Sequence, residues 1–228
     1  MNSQKQFINC CYLLLLLTLS THPATAQDGP DQDSRLYNGY EYIRNGTHAQ
    51  GFPFFGIDSL QPGTLVYDGI LHRDIAMEYD LVLDKLVIPD YTGKALISLI
   101  SEKVDRFTIG PHAFRYFPAQ PTTSSLPKQG FYEELLGRDS VALLARREKK
   151  LVFPSSQDEQ AKYEQSNSHF LLIGNRSARV ADESSLLDML KDKKDMLKKY
   201  IRDNHIRFKK DLENALIATT SYYLKLRN

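Results

Sequence analysis

From Ile75 to Leu83 apolar and polar residues alternate without a break, with Ile75, Met77, Tyr79, Leu81 and Leu83 on one side and Ala76, Glu78, Asp80 and Val82 on the other. Period two over that length predicts a half-buried strand, bent near Asp80. Shorter runs of the same kind predict strands at Leu36 to Ile43, Thr64 to Tyr67, Leu86 to Ile88, Ala95 to Ile100, Phe107 to Ile109, His112 to Phe117, Val141 to Arg147 and Leu151 to Phe153. The clearest hairpin is Phe170 to Ile173, then Gly174-Asn175, then Arg176 to Val180. Such a pair, like Asp68-Gly69 earlier, suits a primed turn because it tolerates positive φ. Glu102 to Arg106 reads as a short helical turn. The Phe52, Phe54 and Phe55 segment reads as a loop plugging a sheet, and Pro118 to Gln129 and Pro154 to Ser168 read as polar loops.

After Val180 the period switches to 3.6. Ser185 with Asp188 three residues on resembles a capping box, and a helix is expected from there to Asn204. Its wheel puts Leu186, Leu187, Leu190, Leu197 and Ile201 on one half, with the lysines and aspartates on the other. A second helix, from about Asp211 to Leu224, aligns Leu212, Ala215, Leu216, Thr219 and Tyr223. The expected fold class is α+β: an antiparallel β meander of about eight to ten strands, open or partly closed, with a C-terminal α-helical hairpin packed on it. Residues 36–181 form the β-rich domain of this reading and 182–228 the hairpin.

The first 26 residues follow another logic. Lys5 precedes the apolar block Tyr12 to Leu19, and Ala24-Thr25-Ala26 fits the −3 and −1 positions of a cleavage site, so 1–26 is read as a secretory signal peptide. The block is far shorter than the roughly 20 residues a membrane span needs, and no transmembrane anchor is expected in the mature form. Residues 27–35, polar and acidic, are expected to be a disordered leader. Removing the signal takes away Cys10 and Cys11 and leaves 28 basic and 28 acidic residues. A neutral mature chain implies no nucleic-acid partner. Without cysteine it has no disulfide, no lipid-attachment site and no thiol nucleophile. A cysteine-free exported chain of this size points to a bacterial periplasmic or secreted location.

Candidate chemistry is sparse. The histidines remaining, His48, His72, His112, His169 and His205, show no His-x-x-x-His spacing. His72 and Asp74, two apart on a strand, would face one side and could supply part of a metal site, although a solvated strand face explains them as well. The row Asp68, Asp74, Glu78, Asp80 and Asp84 lacks calcium-loop spacing and is expected to wet the outer face of the sheet. There is no Gly-x-Ser-x-Gly elbow and no Gly-rich phosphate loop. The strongest charge asymmetry lies between Lys191 and Lys210, nine basic residues against three acidic, and Lys191, Lys194, Lys198, Lys199 and Arg202 are its candidate partner-binding residues.

The segments YDGILHRDIAMEYDLVLDKLVI, at 67 to 88, and LLDMLKDKKDMLKKYIRDNHIRFKKDLENALIATTSYY, at 186 to 223, resemble a pattern in uncharacterised exported bacterial proteins: a tyrosine-rich β domain followed by a lysine-rich helical tail. That resemblance implies an envelope location and carries no activity, cofactor or catalytic residue with it. The expected function is a non-catalytic envelope protein without cofactor that binds a partner protein or a small apolar ligand through its β domain. The strand aromatics Tyr37, Tyr40, Tyr42, Tyr67, Tyr79, Phe114 and Tyr116 would either line a concave site or fill the core. Two other classes remain: an assembly module acting through the basic tail, and a hydrolase or metal enzyme using His72, Asp74 and distant residues.

Overall fold

The computed structural model describes residues 35–44, 48–119, 128–155 and 160–227. The signal segment and most of the leader lie outside the described residues, as do parts of the two polar loops. Eleven strands form one antiparallel sheet: β1 (Tyr40–Glu41), β2 (Gln61–Tyr67), β3 (Ile70–Asp80), β4 (Lys85–Pro89), β5 (Leu96–Ser98), β6 (Val104–Ile109), β7 (His112–Phe117), β8 (Gly130–Arg138), β9 (Val141–Val152), β10 (Lys162–Ile173) and β11 (Arg176–Arg179). Their spatial order is β1-β5-β4-β3-β2-β6-β7-β8-β9-β10-β11. Two meanders therefore share β2 as their inner strand, and the chain crosses from β5 to β6 through a single 3-10 turn at Ser101–Lys103. Three helices follow, α1 (Glu183–Met189), α2 (Lys194–Asp203) and α3 (Leu212–Arg227). The α+β class with an antiparallel sheet is the one the alternation predicted, and of the two forms left open, open or partly closed, the sheet takes the unclosed one.

The turn chemistry also holds. Asp68 and Gly69 both take positive φ, 53° and 77°, and Gly174 takes 56°, as primed hairpin turns require. Several elements differ from the pattern. The first strand shrinks from Leu36–Ile43 to Tyr40–Glu41, while Leu36 itself is buried in the core. β8 carries no clean alternation and was not expected. The first half of β10 replaces the expected polar loop, since Lys162 to Ser168 is held by pairing with Val152 to Arg146 of β9 rather than by its own hydrophobicity. The long helix is broken at Leu190 by a 3-10 turn, Lys191–Lys193. Its buried leucines keep to one stripe through the break, and neither Gly nor Pro marks it. The capping box exists one turn earlier, with Asp182 as the N-cap and Ser185 in the reciprocal position.

Two cores fill the inner face. One is aromatic: Tyr79 packs edge-on against Phe107, Phe114 and Phe131 at ring-centre distances of 5.4, 5.1 and 5.6 Å, and Phe107 stacks on Phe114 at 4.8 Å. Tyr67, Tyr79 and Phe114 are thus core, Tyr37 and Tyr116 pack partly against it, and Tyr40 lies in solvent. The Tyr79 hydroxyl, its pKa pushed well up by burial, donates to Asp84 at 2.6 Å, and Asp84 in turn holds Arg146 at 2.8 Å. The second core joins Val141, Leu143 and Leu171 of the sheet to Leu186, Leu197, Leu216 and Tyr223 of the helices.

The expected outer-face acids divide. Asp68 and Asp74 are exposed, but Glu78 and Asp80 are buried. The chain before β2 folds over that face: the Tyr42 hydroxyl donates to Asp80 at 2.7 Å, Arg44 pairs with Glu78, and Phe54 bridges to Asp80. His72 and Asp74 do not share a side. Gly63 pairs with Ile75 and Leu65 with His72, so β3 carries one extra residue opposite Thr64, and Asp74 takes a φ of 56° within that bulge. One inserted residue reverses the parity that strict alternation assumes.

Candidate functional site

The seam of the curled sheet is where polar chemistry collects. β3 and β9 approach without pairing as strands; among the described residues a main-chain bond runs from Lys149 N of β9 to the carbonyl of Leu81, the residue just after β3, at 3.1 Å. The segment 50–55 straps the gap. Gln50 donates to Ala161 at 2.7 Å and accepts from Tyr163 at 3.0 Å; at the other end Phe55 donates to Tyr79 and Pro53 accepts from Leu81. Between these ends the Lys149 ammonium donates to the carbonyls of Phe52 and Phe54 at 3.0 and 2.6 Å. Burial lowers the pKa of Lys149, since removing water disfavours its charged form.

Beside the strap lies a cleft of about 350 Å³ whose walls include Phe55, Gln61, Ile109, His112, Lys149 and Gln165. Phe55 plugs its floor, edge-on to His112 at 4.9 Å and to Phe114 at 5.0 Å. His112 is the group that the rest of the fold prepares. Its Nδ1 meets Glu133 at 2.5 Å, and Arg147 donates to the other oxygen of Glu133 at 2.6 Å. The carboxylate can only accept, so His112 donates from Nδ1. Its Nε2 has no hydrogen-bond partner among the described residues. The side chain of Glu133 is 5% exposed and that of His112 43%: the carboxylate is inside and the imidazole is open.

The chain of charges continues toward the helices. Arg147 forks onto both oxygens of Glu213 at 2.6 and 2.9 Å, and His169 Nε2 meets Glu213 at 2.8 Å. Glu213 is pulled from an ordinary 4.5 to about 2, first by the hydrogen bond from His169, against burial, and then by Arg147. Register explains the convergence. Phe114 pairs with Glu133, Glu133 with Ala145 and Ala145 with His169, so His112 and Arg147, each two residues along its strand, fall on the same inner face. Glu213 reaches it from the first turn of α3. Five residues spread over about a hundred positions become one network, and no local spacing announces it. The legible trace is a charge, Arg147, at the phase of β9 that otherwise carries Val141, Leu143 and Ala145.

The candidate residues of the tail are separated. Lys191 is exposed on the 3-10 turn, Lys194 pairs with Asp188 at 2.9 Å, and Lys199 pairs with Asp203. Lys198 and Arg202 instead line an open cleft with His205 and Arg207. No group of three His, Cys, Asp or Glu side chains close enough to hold a metal occurs among the described residues. No helix among them is long and apolar enough to cross a membrane. Comparison with protein-family models, with curated proteins and with solved structures found no match to this chain.

Proposed function

We propose that this chain is a non-catalytic binding protein of the bacterial envelope, exported by its first 26 residues, which takes a small ligand at the strap cleft of its β domain. The ligand class is a compact apolar body bearing one acidic or hydrogen-bonding group. The observation that carries this reading is the His112–Glu133 pair: an imidazole open to a cleft, oriented from behind by a buried carboxylate that Arg147 also holds. Fixing a recognition group before binding removes an ordering cost. Phe55 and Ile109 supply apolar wall, while Gln61 and Gln165 supply amide donors and acceptors. The volume, about 350 Å³, lies at the small end of ligand sites. Lys149 contributes positive potential, but its ammonium is committed to the strap carbonyls. His112 is therefore the polar anchor in this reading.

The test is a titration of the isotopically labelled protein with simple aromatic monocarboxylates, followed by NMR. Shifts should concentrate at Phe55, Gln61, Gly110, His112 and Gln165, and His112→Ala should weaken binding about tenfold, the worth of one charge-assisted hydrogen bond. Absence of localised shifts at millimolar ligand, or equal binding by His112→Ala, would rule this reading out.

A further inference from the structure

The C-terminal end of α2 builds a second site that the strap cleft does not use. Two adjoining clefts, of about 450 and 420 Å³, meet there and share His205, Ile206 and Arg207. Lys198 and Arg202 extend the first and Lys210 the second. Among the described residues these basic groups have one recorded ion pair, Arg202 to Asp203 at 3.8 Å, whereas neighbouring Lys194 and Lys199 are closely paired. The groove thus gathers four cations, Lys198, Arg202, Arg207 and Lys210, against the two acids of its own lining, Glu183 and Asp211. Two acids share the lining: Glu183 borders the first cleft, and Asp211 in the second is engaged by Asn214 at 2.7 Å and lies within the field of Lys210.

The groove's backbone is fixed by the way α2 ends. Ile206 N donates to the Ile201 carbonyl at 3.0 Å and His205 N to the Arg202 carbonyl at 3.2 Å, which is the Schellman pair of bonds. The two isoleucines of that motif form the groove's apolar floor. Its left-handed position, φ 52°, is occupied by His205, where glycine is the residue that costs least. An imidazole kept at a strained position, where both clefts meet, is a second pointer to binding, independent of the charge.

The geometry points to a docking groove for an acidic peptide segment of a partner protein, its carboxylates meeting Lys198, Arg202, Arg207 and Lys210 and its apolar side chains resting on Ile201 and Ile206. A peptide fits better than a lipid surface because the apolar floor is recessed: Ile201 is 6% exposed, while a membrane-binding face must project its apolar groups. Opposite charge also makes such docking fast and salt-sensitive.

The probe is an end-capped octapeptide of alternating glutamate and leucine, titrated by calorimetry into the purified protein, with a lysine-for-glutamate peptide as control. The expected result is binding that weakens as salt rises, falls at least tenfold in Lys198→Glu/Arg207→Glu, and is absent for the control. His205→Gly should lose affinity several-fold while raising Tm by about 2 °C, because the strain is relieved as the imidazole is removed. A purely structural histidine would not show that opposition. No binding at millimolar peptide, equal binding by the charge-reversed variant, or unchanged affinity in a folded His205→Gly would overturn the proposal. So would preferential binding to anionic vesicles or to polyphosphate, each of which would name a different occupant.

Discussion

Glu213 concentrates the residue-scale energetics of the network. Its carboxyl is held near 2 against an ordinary 4.5, with His169 and then Arg147 as the groups that favour its ionised form. A depressed carboxylate pKa means that the unfolded chain binds the proton more readily, so the stabilisation is complete above pH 4.5 and is lost as pH falls toward 2. The shift corresponds to about 2 kcal/mol after discounting for the side chain's partial exposure. Glu213→Gln should remove about that much stability at pH 7 and flatten the dependence between pH 4.5 and 2, as measured by urea unfolding across that range. A wild-type curve with no slope there would show that the network does not favour the charged state. None of this was legible from single positions: Glu213 reads as an ordinary acid in a first helical turn, and Glu133 as one of two adjacent acids. What makes them a site is the register of four neighbouring strands, β7 to β10, with α3 laid over them. Asp80 teaches the same lesson from the other direction. Its alternation is that of a solvated residue, but a segment 38 residues earlier in the chain covers it and supplies the Tyr42 hydroxyl.

At the scale of elements, strands were readable where their own side chains alternate and unreadable where neighbours hold them. β7 matches its expected bounds because His112 follows the tight Gly110-Pro111 turn and Pro118 ends the run after Phe117. The first half of β10 is polar, and its ladder with β9 runs unbroken from Lys162–Val152 to Ile173–Val141; the pairing partner, rather than the local pattern, makes it a strand. The helices reverse this relation. Their stripes were visible, and their destination explains them: Leu186, Leu197, Leu216 and Tyr223 cover Val141, Leu143 and Leu171. The tail is therefore a layer of the fold, although it was also read as a separable assembly module. Ending the chain at Ala181 should expose that apolar face and give aggregated or unfolded protein by size-exclusion chromatography and circular dichroism, because each fully buried leucine or valine carries roughly 1.5–3 kcal/mol. A soluble, monomeric truncation with native β signal would return the tail to the status of a module.

The whole molecule poses a problem that its elements do not, namely how a long sheet curls far enough to enclose an aromatic core without closing as a barrel. On one side of the seam β3 pairs with β2 as far as Met77 and with β4 from Glu78, and on the other β9 pairs with β8 and β10, so β3 and β9 share no ladder across it. The strap resolves this by bonding to β10 at Gln50 and to β3 at Pro53 and Phe55, with the Lys149 ammonium binding two of its carbonyls between. A lysine is suited to that place because its several donors can bind diverging acceptors while its stem packs along apolar surface; the ammonium also lies over the Phe52 ring at 4.3 Å. Partly buried carbonyls left without a donor cost about 1–3 kcal/mol each. Lys149→Met keeps the stem and removes the donors, so it should lower stability by about 2 kcal/mol and open the seam locally before the sheet unfolds. Hydrogen exchange can separate these events: amides of Gln50, Phe55, Leu81 and Tyr163 should lose protection in the variant, while those of the β6–β7 ladder keep theirs. Uniform loss across both groups would mean that the seam opens only with global unfolding. Unchanged protection would mean that the main-chain bonds hold it without the lysine. Local opening would leave the strap as the mobile wall of the cleft at His112, and a ligand bound there would slow exchange at the same four amides.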